Sequence, residues 1–139
     1  MGRMREIKFR AFDKVIEKMY EVGYIDFAKK RVQLATVRES VCYAVYISPL
    51  KDVELMQYTG FKDENGTEIF EKDIVHTVGV IPGVEIDDVG IVKFIDGSWM
   101  VENLDGNDGW ELFQEGAEVE VLGNVFENPE LLKGDGNNE

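Results

Sequence analysis

Apolar and polar residues alternate along much of the chain, a pattern typical of strands with one buried and one exposed face. It is clearest in residues 6–11, where every second residue is apolar and the others are charged. Residues 41–47 are almost entirely apolar, and their β-branched and aromatic content favours a strand covered on both faces over a buried helix turn. In such a strand Cys42 would be an inert core thiol. Further strands are predicted at residues 19–27, 32–37, 54–59, 74–80, 90–95, 98–102 and 118–122.

Turn-forming residues separate these runs and indicate antiparallel pairing. Asp96-Gly97 lies between two alternating runs and predicts a tight hairpin, because both residues tolerate the positive φ of a type I′ turn. Asn65-Gly66 predicts another turn. Asn128-Pro129 predicts a cap followed by a single helical turn, since proline is favoured at the first helical position.

Many short strands joined by such turns predict an all-β fold. The five strands between about residues 70 and 127 match the size of an SH3-like small barrel, and the antiparallel N-terminal strands within residues 5–59 would pack on it. We expect residues 1–132 to form one compact unit with a possible internal boundary near Lys51. Residues 133–139 are predicted to be a disordered tail.

Charge is distributed unevenly along the 139 residues. Residues 1–51 contain eleven Lys/Arg and six Asp/Glu, whereas residues 52–139 contain four Lys/Arg and twenty-two Asp/Glu, which together give the net charge of −13. Such asymmetry indicates either a charged partner or, more simply, a solvated surface. The single cysteine and the lack of a long apolar run predict a cytoplasmic protein without an internal disulfide and without a membrane partner.

The sequence offers little catalytic chemistry. His76, the sole histidine, stands near Asp73 and could act as a general base, but a lone histidine on a strand is more often structural. The acidic segment from Asn103 fails as an EF-hand calcium loop, because the sixth position is Asp108 and not glycine, and the twelfth is Gln114 and not glutamate. We therefore expect no enzyme activity, no cofactor and no metal.

Three stretches carry a resemblance to a known family: Met4–Asp13, Leu55–Val75 and Val121–Leu132. They are similar to the YopX family of phage and prophage proteins from low-GC Gram-positive bacteria. The segment Gln57-Tyr58-Thr59-Gly60 and the ending Gly-Asn…Glu-Asn-Pro are the most specific parts. This chain has Phe12 where relatives often have tryptophan, and Lys72 where they often have glycine. The resemblance implies a β-rich fold with an SH3-like barrel and a phage origin, and it implies no enzyme activity.

These observations leave three functions open. The first is a non-enzymatic phage accessory protein that binds a protein partner or self-associates, with the aromatic residues Trp110, Tyr58 and Phe61 as candidate contacts. The second is nucleic-acid binding through the basic N-terminal half. The candidate contacts for it are Arg3, Arg5, Lys8 and Arg10. The third is an acidic imitation of DNA that occupies a DNA-binding host protein.

Overall fold

The computed structural model describes residues 5–133, which fold mainly into antiparallel β-structure, as the alternating pattern predicts. The chain forms two compact units that meet in sequence between Gln57 and Tyr58, a few residues after the boundary predicted near Lys51. Within residues 5–133, no helix is long and apolar enough to cross a membrane. Arg3 and most of the predicted tail lie outside the described residues.

The first unit is an antiparallel sheet with the strand order β4-β3-β2-β1-β5. Its strands are β1 (Phe9–Asp13), β2 (Lys18–Asp26), β3 (Arg31–Arg38), β4 (Val41–Pro49) and β5 (Val53–Lys62), with a 3-10 helix at Leu50–Asp52 before β5. Strand β1 begins later than the alternation at residues 6–11 predicts, because its ladder to β5 starts at Phe9. The core of this unit contains Ala11, Val32, Leu34 and Val53.

Strand β4 is exposed, contrary to the prediction of a strand covered on both faces. Its residues from Val41 to Val45 are all exposed, and Cys42 is an exposed free thiol instead of a core thiol. The reason is topological, since among residues 5–133 β4 pairs with β3 alone and stands at the end of its sheet. A continuous apolar run therefore indicates a strand here, but not one that the fold covers.

In the second unit, the end of β5 pairs with β6 (Glu68–Phe70), and five strands form a separate sheet in the order β10-β9-β8-β7-β11. They are β7 (Asp73–Gly79), β8 (Asp87–Ile95), β9 (Ser98–Asn103), β10 (Gly109–Glu111) and β11 (Ala117–Asn124). The closed barrel predicted over residues 70–127 is not found in the described chain, because β10 and β11 stand at opposite ends of this sheet. The core consists of Ile69, Val75, Val92, Val101 and Leu112.

Two predicted turns are confirmed in the second unit. Asp96 and Gly97 have φ angles of 51° and 86° between β8 and β9, as a type I′ hairpin requires. The chain after β11 forms a 3-10 helix at Pro129–Lys133, as Asn128-Pro129 predicts. Asn128 positions this turn by accepting a hydrogen bond from the Asn124 N–H at 3.1 Å. Lys133, assigned to the tail from sequence, is the last residue of this 3-10 helix.

Candidate functional site

A groove of about 210 Å³ opens on the surface of the second unit. The end of β5 and the turn after it form one wall, and the loop between β10 and β11 with the start of β11 forms the other. Ile69 and Leu112 from the core lie at its base. The remaining lining residues are Phe61, Lys62, Asp63, Glu64, Phe113, Gln114, Ala117, Glu118 and Val119. The site thus combines an apolar base with charged walls.

Two phenylalanines stack in this groove. The rings of Phe61 and Phe113 lie 5.7 Å apart between centroids and are inclined by only 8°. Despite this contact, 38% of Phe61 and 64% of Phe113 remain exposed. Stacking two large aromatic side chains at the surface leaves much of their apolar area in water, and such an area is typical of a contact site for another molecule.

Asp63 holds the two walls of the groove together. Its Oδ1 accepts hydrogen bonds from the N–H groups of Asn65 and Thr67, both at 2.9 Å, and its Oδ2 accepts one from the Val121 N–H at 2.9 Å. Burial by itself would raise the pKa of Asp63, but the three backbone donors outweigh it and hold the pKa below the usual range. A buried carboxylate therefore fixes the turn after β5 against β11.

Acidic side chains line the rim above Asp63. The side chain of Glu64 interacts with that of Glu118, and this interaction raises the pKa of Glu64 above its ordinary value. Partial desolvation and the negative charges of Glu118, Glu120 and Asp63 raise it further. Lys62 is the one basic residue among those that line the groove. The rim consequently favours a positively charged group, which would relieve the repulsion between the carboxylates.

Gln114 adds an unused hydrogen-bond donor. Its side-chain Nε2 atom is buried, and residues 5–133 provide no acceptor for it. Buried polar groups are nearly always hydrogen-bonded, and an unsatisfied one costs about 1–3 kcal/mol. Gln114 lines the groove, so a rotation of this side chain would bring the donor to a ligand there.

The three aromatic residues predicted from sequence have different positions. Phe61 lies in the groove. Tyr58 is only 6% exposed and packs on Phe70 at 5.4 Å, so the structure corrects its assignment as a surface contact. Trp110 is partly buried against the core, and its indole Nε1 donates a hydrogen bond to Thr77 Oγ1 at 3.1 Å. This hydrogen bond gives Trp110 a structural role in the sheet.

Sequence reasoning missed the second member of the aromatic pair. Phe113 follows Leu112 in the loop after β10, where strand alternation does not predict which side chain faces water. The carboxylate pair was missed for a different reason, since Glu64 and Glu118 are distant in sequence and meet only through the pairing of the turn with β11.

The basic residues proposed for nucleic-acid binding lie in the first unit or outside the described residues. Arg5 is exposed in the segment before β1. Lys8 forms an ion pair with Glu6 at 3.3 Å, and Arg10 donates from Nε to the Met56 sulfur at 3.4 Å. Arg3 is not among the described residues. The nucleic-acid interpretation stays a prediction.

His76 does not pair with Asp73 as the sequence suggests. Its Nε2 lies 2.6 Å from Oδ1 of Asp87 on the neighbouring strand β8. Asp73 is buried, and its Oδ2 accepts a hydrogen bond from the Phe70 N–H at 2.8 Å. The proposed base and its carboxylate therefore have separate partners. Between residues 5 and 133, no group of three or more His, Cys, Asp or Glu side chains is placed to hold a metal ion.

Comparison with known proteins places the chain in a family. A family model described as YopX protein matches residues 8–133. The crystal structure of protein EF1440 from Enterococcus faecalis is similar with 28% identity and a TM-score of 0.62, and the match covers 93% of this chain and 99% of that one. The crystal structure of protein yopX from Bacillus subtilis is similar with 26% identity and a TM-score of 0.59, over 92% and 98% of the two chains. No curated protein matches the sequence. Because the family model spans most of the chain, this protein belongs to the YopX family.

Proposed function

We propose that this YopX family member is a non-enzymatic protein-binding module, and that its groove takes a segment carrying a basic residue next to apolar ones. The observation that carries the proposal is the stacked pair of Phe61 and Phe113, exposed beside a pair of carboxyl groups. Aromatic faces attract Lys and Arg side chains, and neighbouring carboxylates add a charged hydrogen-bond partner.

The groove suits an extended peptide in three respects. An apolar side chain would cover the exposed parts of the Phe61 and Phe113 rings. A peptide carbonyl would accept a hydrogen bond from the unpaired Nε2 of Gln114 once that side chain rotates toward the groove. A guanidinium or ammonium group would lie between the phenylalanines and Glu118, where it would compensate the close carboxylates. Each contact uses a group that the fold leaves incompletely satisfied.

Long-range charge supports a basic partner. Residues 58–139 contain four Lys/Arg and twenty Asp/Glu, a balance of −16, whereas residues 1–57 contain eleven and eight, a balance of +3. An acidic surface accelerates association with a basic protein and makes the association sensitive to salt. A DNA-binding protein of the host is one class with the required charge, as the acidic imitation of nucleic acid also predicts.

Family membership supports the broader setting of this proposal. We propose an accessory role for a phage- or prophage-encoded protein in the cytoplasm of a bacterial host, as the resemblance implies. Binding, rather than catalysis, is proposed because aromatic, aliphatic and carboxylate side chains line the groove and His76 lies outside its lining. Use of an aromatic surface to hold a ligand is also common among SH3-like domains, which is an argument from analogy with that fold.

Binding to an array of short random-sequence peptides would test the proposal. We expect enrichment of peptides that combine Arg or Lys with apolar residues, and a loss of affinity of about tenfold in Phe113→Ser, as for an aromatic contact at the centre of an interface. Phe27→Ser, which changes a 70% exposed phenylalanine of the first unit, should leave binding unchanged. Equal binding of acidic and basic peptides, or an unaffected Phe113→Ser variant, would refute the proposal.

Charge variants separate the carboxylate contribution from the aromatic one. Glu118→Gln removes one carboxylate of the pair and should lower affinity for basic peptides by about two- to fivefold, the range of an exposed ion pair. Glu115→Gln, in the preceding loop but outside the groove lining, is the matched control. Because the pKa of Glu64 is raised, affinity should already fall in weakly acidic solution, at a higher pH than an ordinary glutamate would require.

A further inference from the structure

Strand β4 differs from every other strand that the structure describes. It is the one strand between residues 5 and 133 without Asp, Glu, Lys or Arg. Strands at the ends of sheets usually carry charges, because a charged edge opposes pairing with another chain. The end strands β10 and β11 follow this rule with Glu111, Glu118 and Glu120. Strand β4 therefore lacks the charges that normally prevent an end strand from pairing with another chain.

The hairpin of β3 and β4 also extends beyond its sheet. The pairing of β2 with β3 ends at Glu21 and Ala35, whereas the pairing of β3 with β4 continues to Arg38 and Val41. About half of each of the side chains of Val41, Tyr43 and Val45 is exposed. A two-stranded hairpin is marginally stable by itself in water, so a projecting apolar hairpin gains much from an additional strand.

We propose that β4 pairs with β4 of a second copy of this chain, antiparallel and across a two-fold axis at Tyr43. Residues Val41–Ala44 pair with β3 in one regular stretch, which ends at the bulge at Val45, where the register shifts. In this pairing Val41 lies opposite Val45 of the second copy, Cys42 opposite its Ala44, and Tyr43 opposite its Tyr43. All opposed side chains are apolar or aromatic, the kind of cross-strand pair that stabilises a sheet.

Charge identifies a second copy as the fitting occupant. Two identical strands place like charges near each other across a two-fold axis, which costs energy, and β4 has none. The whole chain has a net charge of −13, so two copies repel one another in general. That repulsion is least when association uses the part of the chain with a balance of +3, residues 1–57, which contains β4.

The available area fits a modest dimer. The exposed half of a large side chain is on the order of 80 Å², so complete coverage of five of them in two copies, with the backbone edges, would bury at most roughly the 1,000 Å² that specific interfaces need. Four of the five lie on β4, namely Val41, Tyr43, Val45 and Ile47, and Val37 lies on the neighbouring β3. An interface at this lower limit predicts reversible association, with a dissociation constant in the micromolar range or weaker.

Sedimentation velocity of the full chain, from about 1 µM to about 1 mM, brackets that affinity. We expect a monomer–dimer equilibrium that Tyr43→Lys abolishes, because the substitution places two ammonium groups opposite each other. Phe27→Lys adds the same charge at another exposed aromatic residue of the first unit and should weaken the dimer far less. A chain that stays monomeric throughout, or a dimer that Tyr43→Lys leaves intact, would overturn the proposal. Circular dichroism of both variants verifies that they are folded.

Crosslinking tests the register independently of stability. In a Cys42→Ser background, Tyr43→Cys places one thiol of each copy at the two-fold axis, within the Cα separation of 4.4–6.8 Å that disulfides accept, as estimated roughly from antiparallel strand geometry. Mild oxidation should produce a covalent dimer, whereas Cys42→Ser with Phe27→Cys should form no covalent dimer. Crosslinking at position 27 but not at position 43 would refute this arrangement. Since β4 lies outside the groove, failure here leaves the proposed peptide site standing.

Discussion

The substitution Asp63→Asn perturbs the candidate groove by replacing one carboxylate oxygen with an NH₂ group. The carboxylate of Asp63 accepts three backbone hydrogen bonds, from Asn65 and Thr67 on one oxygen and from Val121 on the other. An amide has a single oxygen, so in either orientation its NH₂ group faces at least one backbone donor. Because the site is buried, that donor loses its partner and cannot turn to water.

The expected cost follows from these contacts. One unsatisfied buried donor costs about 1–3 kcal/mol, and the remaining hydrogen bonds lose the strengthening that a charged acceptor gives. We therefore expect the free energy of unfolding of the second unit to fall by about 3 kcal/mol. Asp105→Asn changes an exposed turn residue in the same unit and should alter it by no more than about 0.5 kcal/mol.

Urea unfolding followed by tryptophan fluorescence measures this effect, because Trp99 and Trp110 both lie in the second unit. The pH dependence gives a second test. The pKa of Asp63 is lower in the folded chain than in the unfolded chain. The contribution of Asp63 to the free energy of unfolding is therefore complete above the unfolded-state pKa of about 3.9, and it is lost as the pH falls through the folded-state pKa. The variant should lack this acid-dependent loss. A stability loss below about 1 kcal/mol, or an unchanged acid profile, would refute the reasoning.

Two further predictions concern stability. Tyr46 donates a hydrogen bond to Asp13, and this bond is the main reason that the pKa of Asp13 is lowered. Tyr46→Phe should therefore destabilise the first unit by about 1–3 kcal/mol near neutral pH, and by less in acid. Hydrogen exchange of the backbone amides measures this change. Lys72 has a φ of 74°, a conformation that favours glycine. Lys72→Gly should therefore stabilise the second unit by about 0.5 kcal/mol, as measured by urea unfolding. Lys72→Ala keeps the backbone strain and should not stabilise it.

Local sequence patterns were sufficient to predict the elements whose conformation depends on neighbouring residues alone. The Asp96-Gly97 hairpin is such a case, because the turn conformation depends on these two residues and on the flanking alternation. Lys72 shows the limit of such rules. It adopts a positive φ that favours glycine, because the N–H donates to Val92 and the carbonyl accepts from Val125, which fixes the backbone on both sides.

Local sequence patterns could not predict the features that depend on the order of strands in a sheet. The apolar run of β4 predicts a strand, but its exposure follows from a place at the sheet end, which pairing over the whole unit decides. The closed barrel is not found among the described residues for a related reason, since strand number and length do not determine whether end strands meet. The groove depends on Phe113 and on carboxylates brought together by the turn after β5.

The claim that the groove binds a basic peptide segment is tested most directly by NMR. The ¹⁵N-labelled chain would be titrated with the peptide that binds best in the random array. We predict that the largest amide shifts occur at Phe61, Glu64, Phe113 and Gln114, and that Phe113→Ser abolishes them. Shifts that concentrate in β1–β4, or a titration without shifts at these four residues, would contradict the assignment of the groove as the binding site.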